Sequence, residues 1–308
     1  MSTRTFGFDL TTFADNRKKC VHLCANYLNK GKLGLVLGAG ASKALKLPDW
    51  YDLLTVALKS LAVLHTLPPK KDYTNQELKE AAGKVKRHFG ANTNDYLDLI
   101  QGTLYDGFKP NFANANKDLL IALSTLFVGK KRGNVTSVVT YNFDSVLEWY
   151  LDVVGLSSTQ LGNNYIAGVI PDVEILHLHG YLPHSPDFGK RSSDILLTKK
   201  DFEDRQVGSS HYKTIMADFY QRHLFITVGM SATSIVDDIC PYLRQLHDQN
   251  GINKITRDQP FGVALISDCS EEERLTMIED GIIPLVEPTH DEIPNIIFEI
   301  AQDAVKRP

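Results

Sequence analysis

The chain lacks long apolar runs, and its beginning lacks the features of a secretory signal. No stretch approaches the roughly 18 uninterrupted apolar residues that a membrane span needs. The first 30 residues contain Asp9, Asp15 and the basic run 17–19 where a signal peptide would have an apolar core. These absences predict a cytoplasmic protein with no membrane partner.

Paired cysteines and a strong charge bias are also missing. The four cysteines, at positions 20, 24, 240 and 269, form no Cys-x-x-Cys pair, so neither a structural zinc nor a disulfide framework is expected. Cys20 and Cys24 lie on one helical stripe, which favours burial as small apolar side chains. The net charge is −4 and the lysines and arginines are scattered, so no direct nucleic-acid binding is expected.

What is present is the pattern of a folded α/β protein. Short apolar runs at 34–37, 135–140, 173–178, 195–197, 224–228, 261–266 and 282–286 predict buried strands, and helical periodicity lies between several of them. This alternation predicts a doubly wound, Rossmann-like parallel sheet with helices on both faces. An amphipathic helix precedes the first strand. Residues 48–128 read as an all-helical insertion of about four helices, which leaves 1–47 and 129–308 as the sheet domain.

Two predicted strands end on polar side chains. Asn142 and Asp144 follow the apolar run 135–140, and His179 follows the run 173–178. Because parallel strands deliver their carboxyl ends to one edge of the sheet, these side chains could meet in one crevice. Each also has a simpler interpretation: Asn142 and Asp144 suit a turn or a helix cap, and a histidine at a strand end is often merely hydrogen-bonded there.

Two further strands end on glycine. The segment 38–42, Gly-Ala-Gly-Ala-Ser, follows the first strand and precedes a predicted helix, so its N–H groups could hold a diphosphate. A tight turn explains those glycines about as well, since the full Gly-x-Gly-x-x-Gly pattern is absent. Gly229 and Ser231 end the strand 224–228, where Ser231 could equally cap a helix.

Taken together and in order, these motifs resemble the sirtuin-like, NAD-consuming proteins, and more closely their bacterial branch of anti-phage NAD hydrolases. The match rests on segments 38–42, 47–50, 140–144, 178–180 and 229–231. The resemblance implies that Asn142 and Asp144 hold the nicotinamide ribose, that His179 is the base, and that His177 packs on its strand. The NAD-binding residues that it implies are Gly38, Ala39, Gly40 and Ser42 at the diphosphate, Gly229 and Ser231 toward the adenosine, and Asp268 at the adenine ribose.

The resemblance implies an enzyme that cleaves NAD into nicotinamide and ADP-ribose, with NAD as its substrate and no metal. The zinc-binding cysteines of the deacylases are absent, which weighs against the alternative of an NAD-dependent protein deacylase. A module that senses NAD or ADP-ribose without turnover is the second alternative. Because free NAD hydrolysis would be toxic, a homo-oligomer and a regulating partner from a defence operon are also implied. The bacterial branch commonly has an Asp soon after the Gly-x-Ser, whereas in this chain Ser234 falls near that place and Asp237 comes later.

Overall fold

A computed structural model of the protein describes residues 9–62, 67–70, 73–111, 118–129, 133–161, 170–201, 204, 210–249 and 259–306. Its strands are β1 (Leu33–Leu37), β2 (Ser137–Thr140), β3 (Ser158–Gln160), β4 (Val173–His177), β5 (Leu224–Val228), β6 (Gly262–Ile266) and β7 (Ile282–Val286). Its helices are α1 (Leu10–Ala14), α2 (Arg17–Asn29), α3 (Trp50–Ser60), α4 (Asn75–His88), α5 (Thr93–Leu104), α6 (Asp118–Phe127), α7 (Val146–Val153), α8 (Ser210–Arg222), α9 (Cys240–Gln249), α10 (Glu271–Glu279) and α11 (Ile293–Val305).

The seven strands form one parallel sheet in the order β3-β4-β2-β1-β5-β6-β7. The chain starts in the middle of the sheet with β1, adds β2 beside it, forms β3 at the edge and then β4 between β3 and β2, and returns to the other side of β1 with β5. The strand order therefore reverses direction beside β1. In open parallel sheets, ligands bind at such a reversal, outside the carboxyl ends of the strands.

Helices cover both faces of the sheet, which confirms the predicted doubly wound fold. Along β1, Leu35 and Leu37 point to the face that α2, α6 and α11 cover, and Val36 points to the face that α8, α9 and α10 cover. Because both faces are buried, β1, β5, β6 and β7 contain almost only apolar residues, and this explains why their sequences are continuous apolar runs.

A third apolar cluster joins α3, α4 and α5 beside the sheet, with Leu54, Val85 and Ile100 at its centre. The α4 helix begins with a capping box in which the Thr74 hydroxyl accepts from the Glu77 N–H. The α6 helix, which also falls in the predicted insertion, packs against α11 and places residues such as Leu123 in the cluster on one face of the sheet. The division of the chain at 48–128 stays a prediction.

One local prediction was wrong. Residues 195–197 are apolar and buried, but they form no strand, because Ile195 and Leu197 are buried in the third cluster. The amphipathic helix predicted before the first strand is confirmed as α2, which begins where the Asn16 side chain accepts from the Lys19 N–H, and the short helix α1 precedes it. In the described part of the chain, no helix combines the length and apolarity needed to cross a membrane.

Candidate functional site

A cavity of about 490 Å³ opens at the carboxyl ends of the central strands. Its wall contains the predicted residues from four strand ends: Gly38, Ala39, Gly40, Asn142, Asp144, His179, Gly229 and Ser231. The volume is in the range typical of small-molecule sites. Two predicted residues lie elsewhere: Ser42 lines a neighbouring cavity of about 20 Å³, and Asp268 is exposed and is not among the lining residues described.

The glycine turns after β1 and β5 pack directly against each other. The Gly40 N–H donates to the Gly229 carbonyl at 2.9 Å, and a Cβ added at Gly38 would lie 2.5 Å from that same oxygen. Gly229 has φ +74°, and a Cβ there would lie 2.3 Å from the Ala41 nitrogen. Any side chain at these positions would overlap with backbone, so close packing of the two turns requires the glycines.

The α-helix predicted to follow segment 38–42 does not begin there, which corrects the sequence-based diphosphate cradle. Two short 3₁₀ turns, Ala39–Ala41 and Lys43–Leu45, follow β1, and the next α-helix begins only at Trp50. The N–H groups of Gly38, Gly40, Ala41 and Ser42 all donate to backbone carbonyls. In this structure those amides are therefore not directed at a ligand, and no helix dipole points at the cavity from this turn.

Asn142 is held so that one polar atom remains for a ligand. Its side-chain Nδ2 donates to the Gly38 carbonyl at 3.0 Å and to Ser42 Oγ at 3.2 Å, and its backbone N–H donates to Thr140 Oγ1 at 3.1 Å. Since the Gly38 carbonyl can only accept, this contact fixes which atom of the amide is nitrogen. Within the described residues Oδ1 has no partner, so it is available to accept from a bound hydroxyl or water.

Asp144 is buried and already carries two hydrogen bonds. Its Oδ1 accepts from Ser42 Oγ at 2.9 Å and from the Val146 N–H at 3.0 Å, so it caps the start of α7. Burial raises the pKa of this carboxyl, although the two hydrogen bonds oppose that effect. The helix-cap interpretation of Asp144 is therefore realised in the structure, and the residue also reaches the cavity wall.

His179 lies on the cavity wall among aromatic side chains. The ring of Tyr141 meets it edge-on with centroids 5.1 Å apart, and the ring of Phe143 is 6.0 Å away. Its backbone carbonyl accepts from the Leu196 N–H at 2.8 Å. Gly180 follows with φ +98°, in the left-handed region, where the chain leaves the sheet. His179 is half-buried and lines the cavity.

His177 does more than pack on its strand, because it forms a buried pair with a glutamate. Its Nδ1 lies 2.9 Å from the Asn142 carbonyl and its Nε2 lies 2.6 Å from Glu148 Oε1, with His177 6% and Glu148 3% exposed. Burial alone would lower the pKa of His177, but the charge and the hydrogen bond of Glu148 outweigh it and raise that pKa. Sequence reasoning overlooked Glu148 because it reads as one polar position in an amphipathic helix.

Asp238 is a lining residue that sequence reasoning missed. It lies on a π-helical segment, Ile235–Ile239, that follows the short helical turn after Ser231. Burial raises its pKa to about 6, Lys79 opposes this and Asp237 adds to it. Segments of π-helix occur often at functional sites. The adjacent acids at 237 and 238 were visible in the sequence, but only the wider turn brings Asp238 to the cavity.

The Ser231 hydroxyl caps the short helix after β5. It accepts from the Ser234 N–H at 3.1 Å and lies 2.9 Å from Ser234 Oγ. Asp237, three residues further on, accepts from Asn75 Nδ2 at 2.9 Å. This contact joins the first turn of α4 to the segment after β5, across the side of the cavity where Asn75 lines the wall.

Charged groups lie at the rim of the cavity beside the β1 turn. Asp49 accepts from Lys43 Nζ at 3.1 Å and from Lys70 Nζ at 2.8 Å, and it also caps α3 through the Asp52 N–H. Burial would raise the pKa of Asp49, but these hydrogen bonds and charges lower it to about 2. Lys43 itself lines the cavity. Lys70 also pairs with Asp52 at 2.6 Å, so this cluster contains two cations and two carboxylates.

The helical side of the cavity is largely apolar. Residues of α3, α4, α5 and the segment before α4 contribute this wall: Trp50, Leu53, Tyr73, Leu78 and Leu104. It faces the polar strand ends, so the cavity has the mixed lining of a binding site, with mostly apolar surface and few directed polar groups. Within the described ranges, no three His, Cys, Asp or Glu side chains lie close enough to hold a metal ion.

The fold and the site define a doubly wound α/β protein with a ligand cavity at the carboxyl edge of its sheet. Residues 136–276 match the family model described as "SIR2-like domain", which supports a sirtuin-like resemblance for that part of the chain. A solved structure reported as "Structural Basis for the Mechanism and Regulation of Sir2 Enzymes" aligns at 13% identity and a TM-score of 0.41, covering 94% of this chain and 98% of that one. No curated protein matches the chain significantly in sequence.

Proposed function

We propose that the protein hydrolyses NAD at the bond between nicotinamide and ribose. One observation carries the proposal: a single cavity is lined by Asn142, Asp144 and His179 together with both glycine turns. The match of residues 136–276 to the SIR2-like domain supports NAD as the ligand. The combination of an amide oxygen, a carboxylate and an imidazole suits chemistry at a sugar carbon.

The reaction breaks the bond between ribose C1′ and the nicotinamide ring nitrogen. The bonding electrons pass to that nitrogen, so a cationic ring leaves as neutral nicotinamide and needs no proton from the protein. The ribose becomes an oxocarbenium-like cation, water adds at C1′, and the proton of that water must be removed. The protein therefore has to stabilise positive charge at the sugar and position the water.

The three side chains divide this work. Asn142 Oδ1, free within the described residues, accepts a hydrogen bond from the water or a ribose hydroxyl and holds it near C1′. Asp144 contributes negative charge beside the sugar, although its bonds to Ser42 and Val146 limit its direct contact. His179 takes the proton, since an imidazole is the side chain that most often acts as a general base.

The remaining parts of NAD are assigned to the rest of the cavity. Lys43 follows the β1 turn and lines the cavity, and we propose that it meets the diphosphate beside Gly38, Ala39 and Gly40. Ser42 would act on the diphosphate only through its contacts to Asn142 and Asp144, since its hydroxyl is buried and bonded there. Gly229 and Ser231 would meet the adenosine, and Asp268 would reach the adenine ribose from outside the cavity.

Two alternatives remain from the sequence. A protein deacylase would release nicotinamide only when an acylated lysine peptide is present. A sensing module would bind NAD or ADP-ribose without releasing nicotinamide. The presence of Asn142, Asp144 and His179 together in one cavity favours catalysis over binding alone.

The test is chromatographic separation of products after purified protein is incubated with NAD, with and without an acetyl-lysine peptide. We expect nicotinamide and ADP-ribose in equal amounts without peptide, and no release from folded Asn142→Ala or His179→Ala. Circular dichroism of both variants controls for folding. Release that requires peptide would establish the deacylase instead. Absence of release under both conditions would leave only the sensing role.

We also propose that the activity is regulated, as its toxicity would demand, by a homo-oligomer or a defence-operon partner in the bacterial cytoplasm. Size-exclusion chromatography combined with the NAD assay at several protein concentrations tests the first part. Specific activity that rises with concentration supports control by assembly, and constant activity of a monomer contradicts it. Survival of phage infection by cells expressing wild type but not Asn142→Ala tests the defence role.

A further inference from the structure

A buried ion pair lies directly behind Asn142, outside the large cavity. Glu148 comes from the first turn of α7 and His177 from the end of β4, and neither is among the residues that line the 490 Å³ cavity. His177 instead borders the small cavity of about 20 Å³, beside Asn142 and Asp144. The ring of Tyr181 packs on the imidazole with centroids 4.5 Å apart. The pair thus joins β4 and α7 to the strand-end loop.

The two contacts of His177 determine where its protons lie. The Asn142 carbonyl can only accept, so Nδ1 must carry a hydrogen. Between Nε2 and Glu148 there is then one proton, on the imidazolium or on the carboxylic acid, and the pair is neutral overall in both states. Either arrangement fixes the tautomer and the orientation of the ring, as a hydrogen bond to a carboxylate does for many functional histidines.

Asn142 is consequently constrained from every side except one. Its N–H donates to Thr140, its C=O accepts from His177, and its side-chain nitrogen donates to Gly38 and Ser42. The atom left over is Oδ1. Rotation of the peptide plane at Asn142 would break the contact to His177 and would swing the side chain away from the β1 turn.

Stability alone explains the pair poorly. Buried ion pairs contribute little net stability, and apolar replacements are often neutral or stabilising. Glu148 Oε2 is also buried without a hydrogen-bond partner among the described residues, which adds a cost. The geometry that the pair imposes on Asn142 is the benefit that offsets this cost.

We propose that Glu148 and His177 are positioning residues of the NAD-hydrolysing site, which hold the Asn142 backbone so that Oδ1 faces the reacting ribose. The inference rests on the proposed function. It predicts that the pair affects turnover more than substrate binding, because misplacing a catalytic group by about 1 Å can cost about 100-fold in rate.

Two substitutions of Glu148 separate geometry from charge. Glu148→Gln keeps a hydrogen bond, because its amide N–H can donate to Nε2 of a neutral His177 whose Nδ1 still donates to Asn142. Glu148→Leu has similar size and removes that bond. We expect kcat to fall about 100-fold in Glu148→Leu, with KM for NAD changed less than about threefold, and kcat of Glu148→Gln to stay within about tenfold of wild type.

Asp280→Leu is the matched control. Asp280 is another buried carboxylate, paired with Arg244 Nε at 2.8 Å, but it precedes the amino end of β7 at the opposite edge of the sheet. The Asp280→Leu variant should be less stable than wild type and should have the same kcat. Equal kcat in wild type and Glu148→Leu, or equal loss in the Gln and Leu variants, would overturn the positioning role. A wild type that releases no nicotinamide would overturn the proposed function itself.

If Glu148→Leu does not fold, His177→Asn and His177→Leu ask the same question. The Asn side-chain nitrogen can stand near the position of Nδ1 and donate to the Asn142 carbonyl, whereas Leu cannot donate. We expect the Asn variant to retain at least about tenfold more kcat than the Leu variant. Equal rates for the two would overturn the proposal.

Discussion

Replacing Gly229 with alanine should destabilise the protein far more than the same replacement at another glycine with positive φ. Gly229 has φ +74°, and its added methyl group would lie 2.3 Å from the Ala41 nitrogen and 2.9 Å from Gly40 Cα. Gly31, after α2, provides the matched control, because it has φ +62° and an added Cβ there meets nothing within 4 Å. The two variants share the backbone strain and differ in the overlap.

The expected losses in the free energy of unfolding follow from the backbone strain and the steric overlap. A non-glycine residue in the left-handed region costs about 1–2 kcal/mol, so this is the whole expected loss for Gly31→Ala. Overpacking against rigid backbone adds about 1–3 kcal/mol or more. We therefore expect Gly229→Ala to lower the free energy of unfolding by about 2–5 kcal/mol, with a loss beyond that of Gly31→Ala of at least about 1 kcal/mol.

Urea unfolding followed by tryptophan fluorescence measures both values, and NAD binding of the folded fraction measures the effect on the site. If the turns pack as described, Gly229→Ala also weakens NAD binding, because the turn after β1 must move. Equal unfolding free energies for Gly229→Ala and Gly31→Ala, within about 0.5 kcal/mol, would refute the close packing of the two turns.

Three further predictions concern charged residues. Lys43→Ala should raise KM for NAD about three- to tenfold with kcat nearly unchanged, in steady-state assays, because an exposed cation contributes about 1 kcal/mol. Asp144→Ala should cost about 2 kcal/mol in urea unfolding through the lost α7 cap and Ser42 bond, and Asp144→Asn should cost less. As the pH rises from 4 to 7, the free energy of unfolding of Asp238→Asn should increase relative to that of wild type by at most about 3 kcal/mol, as measured by urea unfolding at several pH values.

The sign of the Asp238 effect follows from the direction of its pKa. The pKa is raised from 3.8 to about 6, so the folded protein holds this proton more tightly than the unfolded chain. The penalty for ionising Asp238 is absent below pH 3.8, develops between pH 3.8 and 6, and is complete above pH 6. If the free energies of unfolding of Asp238→Asn and wild type differed by a constant amount across that pH range, the raised pKa of Asp238 would be contradicted. An unchanged KM for Lys43→Ala would contradict the role proposed for Lys43. Equal free energies of unfolding for Asp144→Ala and Asp144→Asn would contradict the prediction for Asp144.

Most strands were predictable because both faces of the sheet are buried. Continuous apolar runs such as 224–228 have no polar face, and a parallel sheet between two layers of helices is the structure that accommodates them. The same logic failed at 195–197, where Ile195 and Leu197 are buried by helices instead of strands. It also missed β3, whose three residues, Ser158–Gln160, are half-buried at the edge of the sheet and carry no apolar run.

The site was predictable to the extent that it lies at strand ends. Asn142, His179 and Gly229 come together because parallel neighbours end at one edge, which the order of apolar runs already indicates. Glu148 and Asp238 were not predictable, since each comes from a helical segment: Asp238 lines the cavity, and Glu148 contacts His177 behind it. The contact between Glu148 and His177 joins residues 29 positions apart, and only the packing of α7 against β4 creates it.

The NAD cleavage assay on matched wild-type and Asn142→Ala protein tests the central claim most directly. Both proteins are incubated with NAD alone, and nicotinamide is measured over time by chromatography. The account predicts steady nicotinamide release by the wild type and none above background by the folded variant. Release at equal rates by both proteins would contradict the assignment of this cavity as the site of cleavage.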